Sequence, residues 1–336
     1  MSAVRTRLWV DGDLKTQDFP LEEVSEHLRE PGALVWADLL NPDTAVLDTL
    51  AGELGLDTRA VEDVVEHSER TKATRYADHT FVTVYATALG PQIPGSIESR
   101  LLSAKVSIFV LPAGVVTVRH EKDAQHPVFD IEAVIHHWDD NADLMAMGSR
   151  ALLHGILDVV VDGQFDTIQQ LDDAIESLED GLFDDKTQTR QLQRDTYRLR
   201  KELVELRRFV LPMREVVNTI MRRSAEAGDT AELSSWYQDL YDHVIRAAEW
   251  TESLRDMITT VFETNLSLQD ARLNTIMKKL TGWAAIIAVP TAVTGWYGQN
   301  IPYPGFGAVS GVVASAAVIV ITSVLLYVAF KRRNWI

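Results

Sequence analysis

No cysteine occurs in the 336 residues, and no aspartate or glutamate occurs beyond Asp270. The first absence excludes disulfides, zinc–thiolate centres and thiol catalysis. The second is a matter of position, because the chain carries forty-nine acids in all. Between Ser234 and Pro290 there is no proline and one glycine, Gly282. A glycine-rich phosphate loop and a nucleophile elbow are also missing. The nine histidines are scattered, and His136-His137 has no partner at metal-ligand spacing, so an enzyme is not expected. The segment from Met1 to Asp13 lacks an apolar core of signal-peptide length, so the amino terminus is expected to stay in the cytoplasm.

What remains is divided unevenly. Beyond Arg272 the charged residues are Lys278, Lys279, Lys331, Arg332 and Arg333; removing those five from thirty-two bases leaves twenty-seven against forty-nine acids, a net of −22 on the body. A body so acidic does not bind nucleic acid, which needs Lys and Arg to displace phosphate counterions. It attracts cations.

The acid-free tail holds two apolar runs, Leu280 to about Tyr297 and about Ala308 to Phe330, neither containing a charge. At roughly 1.5 Å per residue, ~20 helical residues cross the ~30 Å hydrocarbon core. Bases flank the outer ends of this pair of runs and none lies in the loop between them, so the positive-inside rule puts both termini in the cytoplasm, at the cell's inner (plasma) membrane, and the loop outside. Trp283, Trp296, Tyr303, Tyr327 and Trp335 fall near the span ends, as interfacial aromatics do. Two helices alone cannot enclose a wet path. Conduction therefore requires several copies, with the first span, rich in small and hydroxyl residues, on the axis.

The sequence divides as follows. Residues 1–145 read as a cytoplasmic α/β domain, with strands at Arg5–Val10, Leu34–Asp38, Phe81–Leu89, Lys105–Leu111 and Val115–Arg119, a turn at Pro112-Ala113-Gly114, and helices near 21–30, 43–54, 57–67 and 128–139. Residues 146–232 read as a cytoplasmic helical hairpin: an acidic helix from Asp158 to Asp185, with a charged solvent face, and a basic helix over 188–225. Residues 233–297 read as one stalk helix continuing into the first transmembrane span, since no stop signal interrupts it. Then follow an external loop (298–307), a second transmembrane helix (308–330) and a basic cytoplasmic tail (331–336). One face of the stalk runs Glu263, Ser267, Asn274, Met277, Leu280, Ala284, Ala288, Thr291, Gly295, Gly298. It is polar, then apolar, then small or hydroxyl-bearing, the order expected of a pore wall with a dry constriction.

With Tyr297-Gly298-Gln299-Asn300 placed directly after the first span, the chain resembles the CorA family of magnesium/cobalt transport channels. The likeness extends through Asn274 to Thr281, Asp239-Leu240-Tyr241-Asp242-His243, and Glu62-Asp63 with His67 and Arg70-Thr71-Lys72. The resemblance implies a homopentameric funnel: an α/β domain, a long α-helical stalk lining the pore, and two C-terminal transmembrane helices. It implies a magnesium channel, with cobalt or nickel as further cargo, in which Tyr297, Gly298, Gln299 and Asn300 form the filter. Asn274, Met277, Leu280, Ala284, Ala288 and Thr291 would line the pore, and Asp239, Asp242 and Glu263 would bind a regulatory metal. Gln299 replaces the family's methionine, and the loop lacks the family's acids. Mg2+ is expected as transported and regulatory ion, with no cofactor; the partners are further copies of the chain, lipid and divalent cations. The rivals are a zinc transporter of the same superfamily and a membrane-tethered sensor or scaffold. A span without His, Asp, Glu or Lys offers no side-chain proton carrier, which weighs against the first.

Overall fold

Short runs rich in apolar and β-branched residues build the sheet, whose two faces bury two separate cores. The computed structural model describes residues 3–66, 69–92, 96–123, 126–183, 189–227, 230–299 and 302–336. It contains strands β1 (Ala3–Val10), β2 (Asp13–Gln17), β3 (Ala33–Leu40), β4 (Lys72–Arg75), β5 (Thr80–Leu89), β6 (Leu101–Leu111) and β7 (Gly114–His120). They form one seven-stranded sheet in the order β2-β1-β3-β7-β6-β5-β4. β3 and β7 pair in parallel, and the other neighbours are antiparallel. The helices are α1 (Val24–His27), α2 (Thr44–Leu54), α3 (Thr58–Val65), α4 (Ile131–Asp140), α5 (Ser149–Phe183), α6 (Thr189–Val210), α7 (Met213–Ala227), α8 (Ala231–Tyr297) and α9 (Val309–Arg332).

Along β3, Leu34 and Trp36 enter one core with residues of α4, α5, α7 and the start of α8, while Val35, Ala37 and Leu39 enter the other with α2 and α3. Asp43, Asp57 and Asp130 cap α2, α3 and α4 by accepting from backbone N–H groups of the first turn, which satisfies donors the helix leaves orphaned. Inside the sheet, Arg119 on β7 holds Asp38 on β3 (Nη2–Oδ2 2.7 Å), and Thr117 donates to the same carboxylate.

The mixed α/β architecture followed by a long helix and two apolar helices is present as read, and the five interior strands lie where the short β-rich runs place them. The edges differ. β2 and β4 carry no apolar stripe, because an edge strand need not bury either face. The helix expected over 21–30 shortens to a single 3₁₀ turn, Leu21–Glu23, followed by α1. α3 stops at Val65 with Glu66 extended, and His67 lies outside the described residues.

The helix expected over 188–225 is two helices, α6 and α7, broken at Leu211-Pro212. Proline has no N–H to give and clashes with the carbonyl four residues back, so the ladder ends there. The expected hairpin is thus a three-helix segment. Its bases also pair differently: Arg198 meets Asp195 and Glu202 within α6, and Arg207 meets Glu252 on α8. α5 and α6 instead bury apolar residues, among them Leu171, Ile175, Leu199 and Leu203.

The chain divides into two units, Met1–Val261 and Phe262–Ile336. The second contains the far part of α8, the connecting loop and α9. There Gly282 faces the carboxyl-terminal residue; a Cβ at Gly282 would lie 3.0 Å from the Ile336 side chain. Trp283 meets Tyr327, and Trp335 stacks on Phe330 at 5.4 Å.

Candidate ion path and cation-sensing groups

α8 runs for 67 residues with Pro290 inside it. Steps of three and four place Asn274, Met277, Leu280, Ala284, Ala288 and Thr291 on one face, and all six are exposed in the single chain. Met277 and Leu280 are 57% and 62% exposed, an arrangement that water alone would disfavour. Thr291 and Thr294 turn their hydroxyl hydrogens back to the carbonyls of Ile287 (3.4 Å) and Pro290 (2.8 Å). Their oxygen lone pairs remain available as acceptors. This face carries no charge, and among its residues only Asn274 has an amide.

At the end of α8 the ladder closes on a turn. Gly298 donates to the Thr294 carbonyl at 2.8 Å, and Gln299 to that of Trp296 at 3.3 Å. A Cβ at Gly298 would lie 3.0 Å from the Thr294 oxygen, so the backbone approach suits glycine. Tyr297 packs edge-on against Tyr303 at 4.8 Å, and Tyr303 against Phe306 at 5.3 Å, which anchors the loop. Of the expected filter, Tyr297, Gly298 and Gln299 occupy this turn; Asn300 lies outside the described residues, as does Ile301.

Asp239 is exposed and faces His243 at 3.8 Å, Asp242 accepts from Gln238 at 3.1 Å, and Glu263 is exposed. What sequence reading missed is the company Asp239 keeps. Asp158 on α5 is half-buried and meets His137 of α4 at 3.5 Å. Burial raises its pKa, His137 and His243 oppose that, and the Asp239 charge reinforces it. Asp162 is raised too, by burial and then by Asp158. Asp158 therefore departs from the plain solvent face, being half-buried within electrostatic reach of Asp239, whereas Asp162 and Asp166 are exposed. His154, buried nearby, is pushed down to about 4 by desolvation and adds no charge at neutral pH.

Among the described residues, the carboxylates whose ligand atoms come within 4.8 Å of one another are Asp63, Glu66 and Glu69. One lysine pairs with these carboxylates and a second serves the backbone beside them. Lys72 sits 2.8 Å from Asp63 and 2.9 Å from Glu69. Burial works against its charge, but the hydrogen bonds to those two acids outweigh it and raise its pKa. Lys105 reaches from β6 to donate to the carbonyls of Asp63 (2.8 Å), Val64 (2.7 Å) and Glu66 (2.5 Å). It thereby caps the carboxyl end of α3, whose last carbonyls have no intrahelical partner. The sequence flagged Asp63 and Lys72, but nothing local announces Lys105.

Residues 31–332 match the family described as CorA-like Mg2+ transporter protein. The cobalt/magnesium transport protein CorA of Thermotoga maritima is 25% identical over 97% of this chain and 93% of its own length. The putative metal ion transporter YfjQ of Bacillus subtilis is 25% identical over 87% of this chain and 89% of its own. The complete structure of the CorA magnesium transporter from Methanocaldococcus jannaschii superimposes with a TM-score of 0.75 at 21% identity, covering 99% of this chain and 98% of that one.

Proposed function

We propose, on the premise that this chain belongs to the CorA-like Mg2+ transporter family, that it is a channel through which divalent cations enter the cell. The observation that carries this reading is the exposed, uncharged face from Asn274 to Thr291 that ends at the Gly298 turn. In a homopentamer around that face, the exposed Met277 and Leu280 become buried and form a dry constriction. Gly298 carbonyls and Asn300 amides ring the outer mouth.

Magnesium gives up its octahedral water shell reluctantly. A ring of neutral oxygens accepts hydrogen bonds from that shell without stripping it, whereas a carboxylate ring would hold a doubly charged ion too tightly for release. Entry is driven by the potential, worth about 5 kcal/mol per divalent ion per 100 mV. The acid-free loop contributes no capture charge, and Gln299 bears on the choice among Mg2+, Co2+ and Ni2+. With basic residues flanking the outer ends of the two spans, both termini face the cytoplasm.

Closure follows from the acids. Cytoplasmic Mg2+ held by Asp239, Asp242 and Glu263, with Asp158 in electrostatic reach of Asp239, relieves carboxylate repulsion and favours one packed state. Its loss favours a looser one. The ion is cargo and regulator, and no separate cofactor is invoked.

Flux into liposomes carrying the purified full-length protein and an internal magnesium-sensitive dye tests this. Mg2+ should enter down a gradient, and Asn300→Ala should slow entry by about tenfold or more, one to two lost hydrogen bonds to the ion's waters per ring being worth that much. Parallel arms with Co2+, Ni2+ and Zn2+ rank the cargo. Entry of every ion at the protein-free rate would end the proposal.

A further inference from the structure

The exposed sides of α5 and α6 carry opposite charge at the same spacing. Steps of four, three, four, three and four residues along α6 give Arg190, Arg194, Tyr197, Lys201, Val204 and Arg208, all exposed. The same steps along α5 give Asp162, Asp166, Gln169, Asp173, Glu176 and Asp180, again all exposed. Such steps stay on one face of a helix, and at ~1.5 Å per residue each stripe is about 27 Å long. The opposite faces are apolar: Leu171, Ile175 and Leu178 on α5 and Leu192, Leu199, Leu203 and Leu206 on α6 are buried, and the two helices pack against each other.

These charges find no opposite within the chain. Among the described residues, Arg190, Arg194 and Arg208 have no ion pair or side-chain hydrogen bond, and no lysine or arginine pairs with Asp162, Asp166, Asp173, Glu176 or Asp180. Lys201 reaches Glu205 at 4.0 Å, and that acid, at the edge of the stripe, also accepts from Ser99 at 2.6 Å. Between the bases lie Tyr197, 60% exposed, and Val204, 42% exposed. A solvated charged face has no use for an open tyrosine at its middle, whereas tyrosine and arginine together are the residues that interface centres favour.

We propose that the α6 stripe of one copy docks on the α5 stripe of the next copy of this chain. The matched spacing favours a second copy over an anionic lipid surface, which offers no fixed row of charges. α5 and α6 are consecutive helices that pack together across a short connection, so they run in opposite directions. Copies related by rotation about an axis along these helices then set α6 of one antiparallel to α5 of the next. The spacing reads the same in both directions, so Arg190 falls opposite Asp180, Arg194 opposite Glu176 and Arg208 opposite Asp162, with Tyr197 covered between them. Each copy offers α6 on one side and α5 on the other, a head-to-tail contact that a ring closes. A single exposed pair contributes little; a row of them fixes register and selects the neighbour. The inference rests on the assembly of several copies proposed above and adds which surfaces meet in it.

The chain has no cysteine, so full-length protein with Gln169→Cys and Lys201→Cys, which lie opposite each other in this register, carries two thiols alone. Treated in detergent with a short bismaleimide, it should give a ladder of joined chains on denaturing gels, and neither single-cysteine variant should. Adding Arg194→Glu or Glu176→Arg alone should cut the joined fraction by about fivefold, and the two together should restore it. An unchanged fraction in both single reversals would overturn the proposal. So would no joining in a sample whose light-scattering mass is that of several copies, a result that leaves the channel reading standing. A single-chain mass would end the assembly on which both rest. The yield should also be equal in phosphatidylcholine vesicles with and without phosphatidylglycerol; its loss in the anionic vesicles would assign the α6 stripe to lipid headgroups instead and overturn the proposal.

Discussion

Replacing Lys105 by methionine separates two opposed effects that this residue combines. Lys105 is 6% exposed, and burial pushes its pKa down to about 8 from 10.5, against the attraction of Glu69, Asp63 and Glu66. Carrying the charge in the folded state therefore costs roughly 3 kcal/mol at neutral pH. Against this, its ammonium satisfies three carbonyls at the end of α3. Without it the Val64 carbonyl, on a buried residue, loses about 1–3 kcal/mol, and the two part-buried ones lose about 0.5–1.5 kcal/mol each as they rehydrate. The sum, about 4 kcal/mol, nearly cancels the burial cost at pH 7, so Lys105→Met is expected to be about 1 kcal/mol less stable there. Between pH 8 and 10.5 the unfolded chain binds more protons than the folded one, so the wild-type protein gains stability as pH rises. The neutral amine still donates two hydrogen bonds, and the variant has nothing to titrate at this position. The gap should widen to about 3–4 kcal/mol by pH 10, or roughly 6–12 °C in midpoint for a unit of this size. Thermal unfolding of both proteins followed by circular dichroism from pH 7 to 10 reads this directly, and subtraction removes every other titrating group. Parallel curves would refute the burial argument. Coincident curves at all pH values would refute the cap.

Three further outcomes follow from the same structure. Adding Mg2+ should raise the midpoint of the wild-type protein, and Asp239→Ala or Asp158→Asn should reduce that rise, because each removes part of the carboxylate group that repels itself in the ion's absence; an undiminished rise in both would place the ion elsewhere. Arg119→Met should destabilise by about 3–5 kcal/mol, since it leaves Asp38 charged and buried without its partner, and chemical denaturation measures it. Gly298→Val should slow Mg2+ flux while leaving the unfolding midpoint within about 2 °C, because the Thr294 carbonyl blocks a side chain at an exposed turn; unaltered flux would show that the turn is not part of the path.

Much of the fold was written in local pattern. β3, β5, β6 and β7 are short runs rich in apolar and β-branched residues, and the lack of proline between Ser234 and Pro290, with one glycine, announced α8 as one helix. Two misses were legible in hindsight. Asp11-Gly12, with φ of 52° and 91°, forms the tight hairpin between β1 and β2, and Asp-Gly is a strong short-range hairpin signal. Pro212 falls between the two halves of the basic segment, where the helix breaks. Other features had no local signature. Lys105 meets α3 from about forty residues away, and packing of three helices brings Asp158 to His137 and within electrostatic reach of His243 and Asp239. Sequence periodicity reports which face is apolar, but which polar groups face each other depends on tertiary register. The stripe from Asn274 to Thr291 was visible as spacing, and its exposure in the single chain is what the structure adds.

Lys72 has a consequence for which acids of the body are open to cations. A lysine tied to the backbone is a counterion whose local concentration never falls, whatever the cell's supply of metal. The Asp63–Glu69 corner is therefore indifferent to famine or plenty. On the proposed reading, the corner where His137 and His243 face Asp158 and Asp239 is the one left to follow the ions that arrive and depart.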